Sequence, residues 1–181
     1  MIESTHHSFI NKDWLQSLSD ELLNANGWVF RQKFWRYYLA QGLQPYVESN
    51  AATWYHNQTD ALYYTMTSQW RKLFDKVYDL AGSNFQLMRY ALTGQTQNQQ
   101  PVLHTDVSEN LNGCYKSYLI YLNNVATQGS TDFVVDNKLI HQEPPEPGKL
   151  IVFDSKILHC GNPPTQPDFL RLSIVLHGIH T

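Results

Sequence analysis

His104, Asp106, His159 and Arg171 are the residues of this chain whose types and order could do chemistry. Two imidazoles and one carboxylate form the ligand set of a facial iron(II) site, which leaves coordination positions open on its far side. His104-Thr105-Asp106 places two of these groups at i and i+2, and on a strand such side chains point to one face. The run Val102–Asp106 has strand character, and His159 would bring the third ligand from a distant strand. The same donors also suit zinc, and an H-x-D triplet by itself is a weak signal. The case rests on the combination with Arg171, which follows His159 by 12 residues.

Arg171 sits in an otherwise apolar run. Read as a strand, Phe169–His177 puts Phe169, Arg171, Ser173, Val175 and His177 on one face, with Leu170, Leu172, Ile174 and Leu176 on the other. The leucine and isoleucine row requires an apolar neighbour. If Arg171 then faces an enclosed interior, its guanidinium needs an anion, because a buried unpaired charge is costly. A carboxylate answers that need, and Ser173 adds a hydroxyl on the same face. The plain alternative is a solvent-facing Arg171 paired with Asp168 or another acid.

Two kinds of element must position these groups. The front of the chain reads helical. Lys12–Leu23 carries Trp14, Leu15, Leu18 and Leu22 at helical spacing, with Asn11 as N-cap and Asn26-Gly27 as stop. A second helix runs from Ser68 to Ala81, with Trp70, Leu73, Phe74, Val77 and Leu80 as its stripe and Gly82 at its end. Between them, Trp28 to Thr65 is rich in Tyr and Trp and has no clear period, although Trp28-Val29-Phe30 could be strand. After Gly82 short strand-like runs follow: Phe85–Leu92, Val102–Asp106, Tyr115–Leu122, Asp132–Val135, Lys138–His141, Leu150–Phe153 and Phe169–His177. Turn signals such as Asp136-Asn137 and Pro147-Gly148 separate them. This density of short strands predicts an α+β fold with a mainly β core, a sandwich or jelly roll with helices packed on one sheet. No linker divides the chain. It reads as a single domain, 1–181, with a mostly helical part at 1–82 and a jelly-roll core at 83–181.

Composition narrows the function classes. The 181 residues are enough for one domain with a substantial core. With 13 Lys+Arg against 16 Asp+Glu and no basic run, nucleic-acid backbone binding is not expected. Cys114 and Cys160 are too few for a disulfide scaffold and read as thiols in a reducing compartment. The first residues lack the pattern of a secretory signal, and no apolar run is long enough to span a membrane, so the expected location is the cytoplasm. Oligomeric state is not legible.

Further stretches resemble the iron(II)/2-oxoglutarate-dependent oxygenases, above all the branch that includes prolyl 4-hydroxylases. Leu87-Met88-Arg89-Tyr90 followed by Gly94 resembles the tyrosine-bearing strand ahead of the family's H-x-D. Ser117-Tyr118-Leu119-Ile120-Tyr121-Leu122-Asn123 resembles the strand after it. Pro147-Gly148-Lys149-Leu150-Ile151-Val152-Phe153, His159 and Arg171-Leu172-Ser173 resemble its closing segment. The resemblance runs from Phe85 to the last residue. It implies a double-stranded β-helix, a cupin-like jelly roll, with Fe(II) on His104, Asp106 and His159, and 2-oxoglutarate and O2 as cosubstrates. Arg171 would bind the remote carboxylate of 2-oxoglutarate with Ser173. Tyr121 and Tyr90 match tyrosines that line or hold that cosubstrate in some members. Asp106 favours hydroxylation, since halogenating relatives lack the carboxylate. The implied reaction is hydroxylation of a C–H bond in a peptide, prolyl or small amino-acid-like substrate, with release of succinate and CO2.

This sequence departs from the branch in three ways. Its anchor is arginine where the collagen-type enzymes use lysine, the interval from His159 is slightly long, and Gln128-Gly129-Ser130-Thr131-Asp132-Phe133 matches a Gly-Gly-Glu-Thr turn only loosely. A prolyl substrate is the implication these differences weaken most. The alternatives are an oxygenase that demethylates nucleic acid, and a non-redox cupin-type metal- or ligand-binding protein. The candidate elements for substrate recognition are the Gln95–Gln100 loop and the aromatic stretch Trp54 to Tyr64, although packing between helices and sheet is the more expected role of Trp54, Tyr55, Tyr63 and Tyr64. His6, His7, His56, His141, His177 and His180 read as having no functional partner.

Overall fold

The computed structural model describes residues 1–23, 29–31, 36–43, 68–97, 99–108, 110–123, 128–167 and 169–181. The elements are β1 (Ile2–His6), α1 (Lys12–Leu23), β2 (Val29–Arg31), β3 (Arg36–Leu43), α2 (Ser68–Ala81), β4 (Phe85–Gln95), β5 (Cys114–Tyr121), β6 (Thr131–Val135), β7 (Lys138–Glu143), β8 (Leu150–Asp154), β9 (Leu158–Gly161) and β10 (Arg171–His180). A seven-stranded sheet has the order β1-β8-β5-β10-β4-β3-β2 and a three-stranded sheet the order β7-β6-β9, with antiparallel pairing throughout. These are the two sheets of the expected jelly roll.

Alternation along β10 sets the layers. Leu172, Ile174 and Leu176 are fully buried and join Tyr90, Leu92, Tyr118, Ile120, Leu150 and Val152 on one face of the larger sheet. Trp14, Leu15, Leu18, Trp70, Leu73, Phe74 and Val77 of the two helices complete that core. Each such side chain contributes roughly 1.5–3 kcal/mol on burial. A one-residue slip of β10 would turn Arg171 and His177 into this apolar layer, so the register is strongly fixed. The opposite face packs Leu119, Tyr121, Ile151 and Phe153 with Phe133 of the smaller sheet and Ile157, and there the chemistry-bearing residues lie.

Both helices have the expected bounds. Asn11 Oδ1 accepts the Trp14 N–H at 3.0 Å, which confirms the N-cap. Gly82 takes φ 89° at the end of α2. The proposed Asn26-Gly27 stop lies outside the described residues, as does most of the aromatic stretch after it, including Trp54 to Tyr64. The strand reading of Trp28-Val29-Phe30 holds for its last two residues, in β2. The front half is less helical than expected, since it contributes β1, β2 and β3. β1 pairs with β8 at one edge and β3 with β4 towards the other.

The expected strand over Val102–Asp106 is not present. His104 makes a single isolated bridge to His159, and its N–H and C=O both bond that residue's backbone, at 2.9 and 3.0 Å. The chain then leaves the sheet because the Asp106 N–H bonds the Ser155 carbonyl, in the turn after β8, at 2.9 Å. The two ligand residues are brought to one side by this bridge and turn rather than by strand alternation.

Candidate active site

His104 Nδ1 lies 2.8 Å from the Val102 carbonyl and His159 Nδ1 2.9 Å from the Ile157 carbonyl. A carbonyl only accepts, so each Nδ1 carries the proton and each Nε2 is left as a lone pair. Those nitrogens face Asp106, with His104 Nε2 3.7 Å from Oδ1 and His159 Nε2 3.5 Å from Oδ2. The three ligand atoms lie within 4.8 Å of one another. Phe153 stands edge-on to the His159 ring at 4.9 Å and Phe133 stacks at 5.9 Å, which fixes the ring plane.

Asp106 is held at several points. Arg89 Nη2 donates to its backbone carbonyl at 2.7 Å and stands 3.5 Å from Oδ1. Ser117 Oγ donates to Oδ2 at 2.7 Å, and His177 Nδ1 is 3.3 Å from the same oxygen. Burial alone would raise the Asp106 carboxyl, but the neighbouring imidazoles and the Arg89 guanidinium outweigh it and hold it far below the usual carboxylate range. Burial also pushes the His177 imidazole down to about 3, so at neutral pH His177 is uncharged beside an ionised Asp106. An ionised carboxylate and two Nε2 lone pairs, with both Nδ1 protons already engaged, are the donor set a divalent metal requires. The ligand residues therefore fit iron(II).

Arg171 is 3% exposed, which decides against the solvent-facing alternative. Its partner in that alternative, Asp168, lies outside the described residues. Nε donates to Gly129 O at 2.6 Å, Nη1 to Gln95 Oε1 at 3.1 Å and Nη2 to Thr131 Oγ1 at 3.2 Å. These three acceptors orient the guanidinium. Gly161 makes the close approach possible, since a Cβ there would stand 2.9 Å from Gln95 Oε1 and 3.4 Å from Arg171 Nη1. Ser173 shares a 2.9 Å hydrogen bond with Thr93. A cavity of about 100 Å³ touches His104, Asp106 and His159 as well as Arg171, Ser173 and Thr131.

The two tyrosines stand differently. Tyr121 is buried, its hydroxyl donates to Thr131 Oγ1 at 2.8 Å, and burial pushes its pKa up to about 12. It meets the Arg171 end of the cavity both through Thr131 and directly, since the Arg171 guanidinium lies 5.4 Å over its ring. Tyr90 borders the cavity, yet its ring belongs to the helix-side core, edge-on to Phe74 at 5.1 Å. Its strand neighbours Arg89, Ala91 and Thr93 face the site, so alternation turns the Tyr90 ring away from the metal-ligand cluster.

Several participants were not singled out from the sequence. The sequence offers His177 no functional partner, although the alternation that places Arg171 and Ser173 inward places His177 there too. Gln95 lies in the expected recognition loop by sequence, but it ends β4, is buried, and bridges Arg171 to Gly161 O, which its Nε2 reaches at 3.0 Å. Ser117 shares a face with Tyr121 by simple alternation. Arg89 and Thr131 had no distinguishing signal. Cys114 and Cys160 form no disulfide.

No family model matches the sequence, and no curated protein matches it significantly. Solved structures do match. One is a prolyl-4-hydroxylase from Pseudomonas putida, with TM-score 0.58 and 19% identity over 98% of this chain and 92% of that one. Another is a Trichoplax adhaerens prolyl hydroxylase in complex with a hypoxia inducible factor peptide fragment, with TM-score 0.60 and 15% identity over 98% and 83%. A third is the non-heme alpha-ketoglutarate-dependent epimerase SnoN from nogalamycin biosynthesis, with TM-score 0.61 and 14% identity over 97% and 77%. The chain has the fold of these 2-oxoglutarate enzymes. At such identities the likeness is one of architecture, and the chemistry must be argued from the side chains. Among the described residues, no helix is long and apolar enough to cross a membrane.

Proposed function

We propose that this chain is an iron(II)- and 2-oxoglutarate-dependent dioxygenase that hydroxylates a C–H bond of a peptide, prolyl or small amino-acid-like substrate, releasing succinate and CO2. The observation that carries the reading is the single cavity shared by the His104, Asp106 and His159 cluster and the buried Arg171 guanidinium. His104 Nε2, His159 Nε2 and the Asp106 carboxylate would hold iron(II). Bound there, iron(II) would supply the redox chemistry that activates dioxygen.

The rest is the work of the chain's own groups. Arg171 would grip the remote carboxylate of 2-oxoglutarate by charge-assisted hydrogen bonds, with its orientation fixed by Gly129, Gln95 and Thr131. Ser173 would add a hydroxyl on the same wall. Tyr121 would support Arg171 by holding Thr131 and by lying under the guanidinium. Ala91, Leu119, Phe153 and Val175 line the cavity between its two polar ends and limit water there.

The test is succinate release from 2-oxoglutarate with iron(II) and oxygen, assayed alongside His104→Ala and Asp106→Ala. Both variants are expected to lose succinate formation while keeping the wild-type circular dichroism spectrum. Iron-dependent turnover surviving in both would overturn the metal assignment. Metal uptake by the wild type with no succinate under any substrate would favour the non-redox cupin reading instead.

A further inference from the structure

Behind Asp106 lies a buried hydrogen-bonded chain that the ligand set does not itself require. Ser117 Oγ is 2.7 Å from Asp106 Oδ2, 2.7 Å from Ser155 Oγ and 3.0 Å from His177 Nδ1. Ser117 and Ser155 are fully buried and His177 is 3% exposed. They come from three places: Ser117 from β5, His177 from the residue paired with it on β10, and Ser155 from the turn after β8. Unbroken alternation along β10 against β5 keeps His177 on the same face as Ser173 and Val175. Gly178 is needed there, because a Cβ would stand 2.6 Å from the Gln86 carbonyl oxygen and closer still to the Phe85 ring.

Proton counting sets the direction of the chain. A serine hydroxyl has one proton to give and two lone pairs to accept with. An ionised carboxylate only accepts, so the Ser117 proton goes to Asp106. Ser155 Oγ–H and His177 Nδ1–H must then both donate to Ser117, which uses all of its hydrogen-bonding capacity. The ring of His177 is thereby fixed as the Nδ1–H tautomer. Ser155 holds Asp106 a second time, since its carbonyl accepts the Asp106 N–H.

We propose that His177, Ser117 and Ser155 are positioning residues for metal binding. Together they hold the Asp106 carboxylate in its ligating orientation, facing His104 and His159, before any metal arrives. The carboxylate then loses little rotamer freedom when the ion binds. This proposal rests on the metal-site reading above and extends it to residues that touch no ion.

Cobalt(II) alone is the probe. It can be followed by its visible ligand-field absorption and by calorimetry, neither of which requires turnover. Removing such supporting partners costs roughly 10–100-fold in metal affinity. Ser117→Ala and His177→Leu are each expected to weaken cobalt binding within that range and to alter the absorption band. His177→Asn, whose side-chain amide N–H can replace the Nδ1 donor, is expected to retain affinity within about threefold of wild type. The thermal midpoint of each metal-free variant reports folding separately. Should Ser117→Ala fail to fold, the His177→Asn and His177→Leu pair still decides the matter. Equal losses in that pair would mean that the ring only packs, and would overturn the proposal. Wild-type affinity in Ser117→Ala and His177→Leu would overturn it as well. A wild-type protein that takes up no cobalt would sink the metal-site reading itself, and this proposal with it.

Discussion

Replacing Arg171 with methionine separates the cosubstrate end of the cavity from the metal end. Methionine keeps an unbranched stem and removes the charge and all donors. Loss of a charge-assisted contact to a carboxylate is worth ~1.5–3 kcal/mol. That corresponds to roughly 10- to 150-fold weaker 2-oxoglutarate binding. The structure adds a second cost. Gly129 O and Gln95 Oε1 each lose a donor, whereas Thr131 Oγ1 keeps the bond from Tyr121. A buried acceptor left unsatisfied costs about 1–3 kcal/mol, so the variant is also expected to be less stable by about that amount or more. Arg171→Lys retains the charge and loses the planar fork, and its affinity is expected between the two. The assay is anaerobic calorimetric titration of 2-oxoglutarate into manganese(II)-loaded protein, with metal affinity measured on the same samples. Metal affinity is expected to be unchanged. If 2-oxoglutarate affinity in Arg171→Met stays within about twofold of wild type, Arg171 is not the anchor.

Three further outcomes follow from particular contacts. Gly161→Ala would force a Cβ to within 2.9 Å of Gln95 Oε1, so Gln95 must move and Arg171 loses an orienting partner. The same titration should show several-fold weaker 2-oxoglutarate binding with metal affinity retained, and unchanged affinity would mean that Arg171 does not depend on Gln95. Asn11→Ala removes the N-cap of α1 and should lower stability by about 0.5–2 kcal/mol, measured by urea unfolding. Glu143 gives a pH-dependent effect. Burial pushes its carboxyl up, but hydrogen bonds from Lys149 and His141 outweigh this and leave it below its ordinary value of 4.5. A depressed folded-state pKa means that the stabilisation is present above 4.5 and is lost as pH falls through the folded value. The urea midpoints of wild type and Glu143→Gln should therefore converge on acidification below that value, and a gap that stays constant down to pH of about 3 would contradict the assignment.

Much of this site was legible because β-strand alternation is a strict rule. Once Leu172, Ile174 and Leu176 are assigned to an apolar layer, Arg171 and Ser173 must face the other way, and both do. The same rule placed His177 inward, but an imidazole has no sequence signal for its partner. That partner, Ser117, lies on a strand distant in sequence, and only the β5–β10 register joins them. Asp106 comes to the side of His104 by a one-residue bridge and a turn, not by the strand alternation that the H-x-D spacing suggests. Tyr90 illustrates the opposite limit. Its stretch resembles a tyrosine-bearing strand, yet Arg89, Ala91 and Thr93 occupy the inward positions and its ring packs on Phe74. Gln95 looked like loop because glutamine carries little strand preference, and its burial depends on Arg171, which the chain supplies only much later.

The central claim is that one cavity takes a metal on His104, Asp106 and His159 and a keto diacid on Arg171 at the same time. Anaerobic titration with iron(II) and 2-oxoglutarate tests it most directly, through the weak visible charge-transfer band that arises only when both are bound together. The band is expected in wild type at one equivalent of iron, absent in Asp106→Ala, and in Arg171→Met shifted to higher 2-oxoglutarate concentration by roughly 10- to 150-fold. No band in the wild type at saturating iron and 2-oxoglutarate would contradict the account.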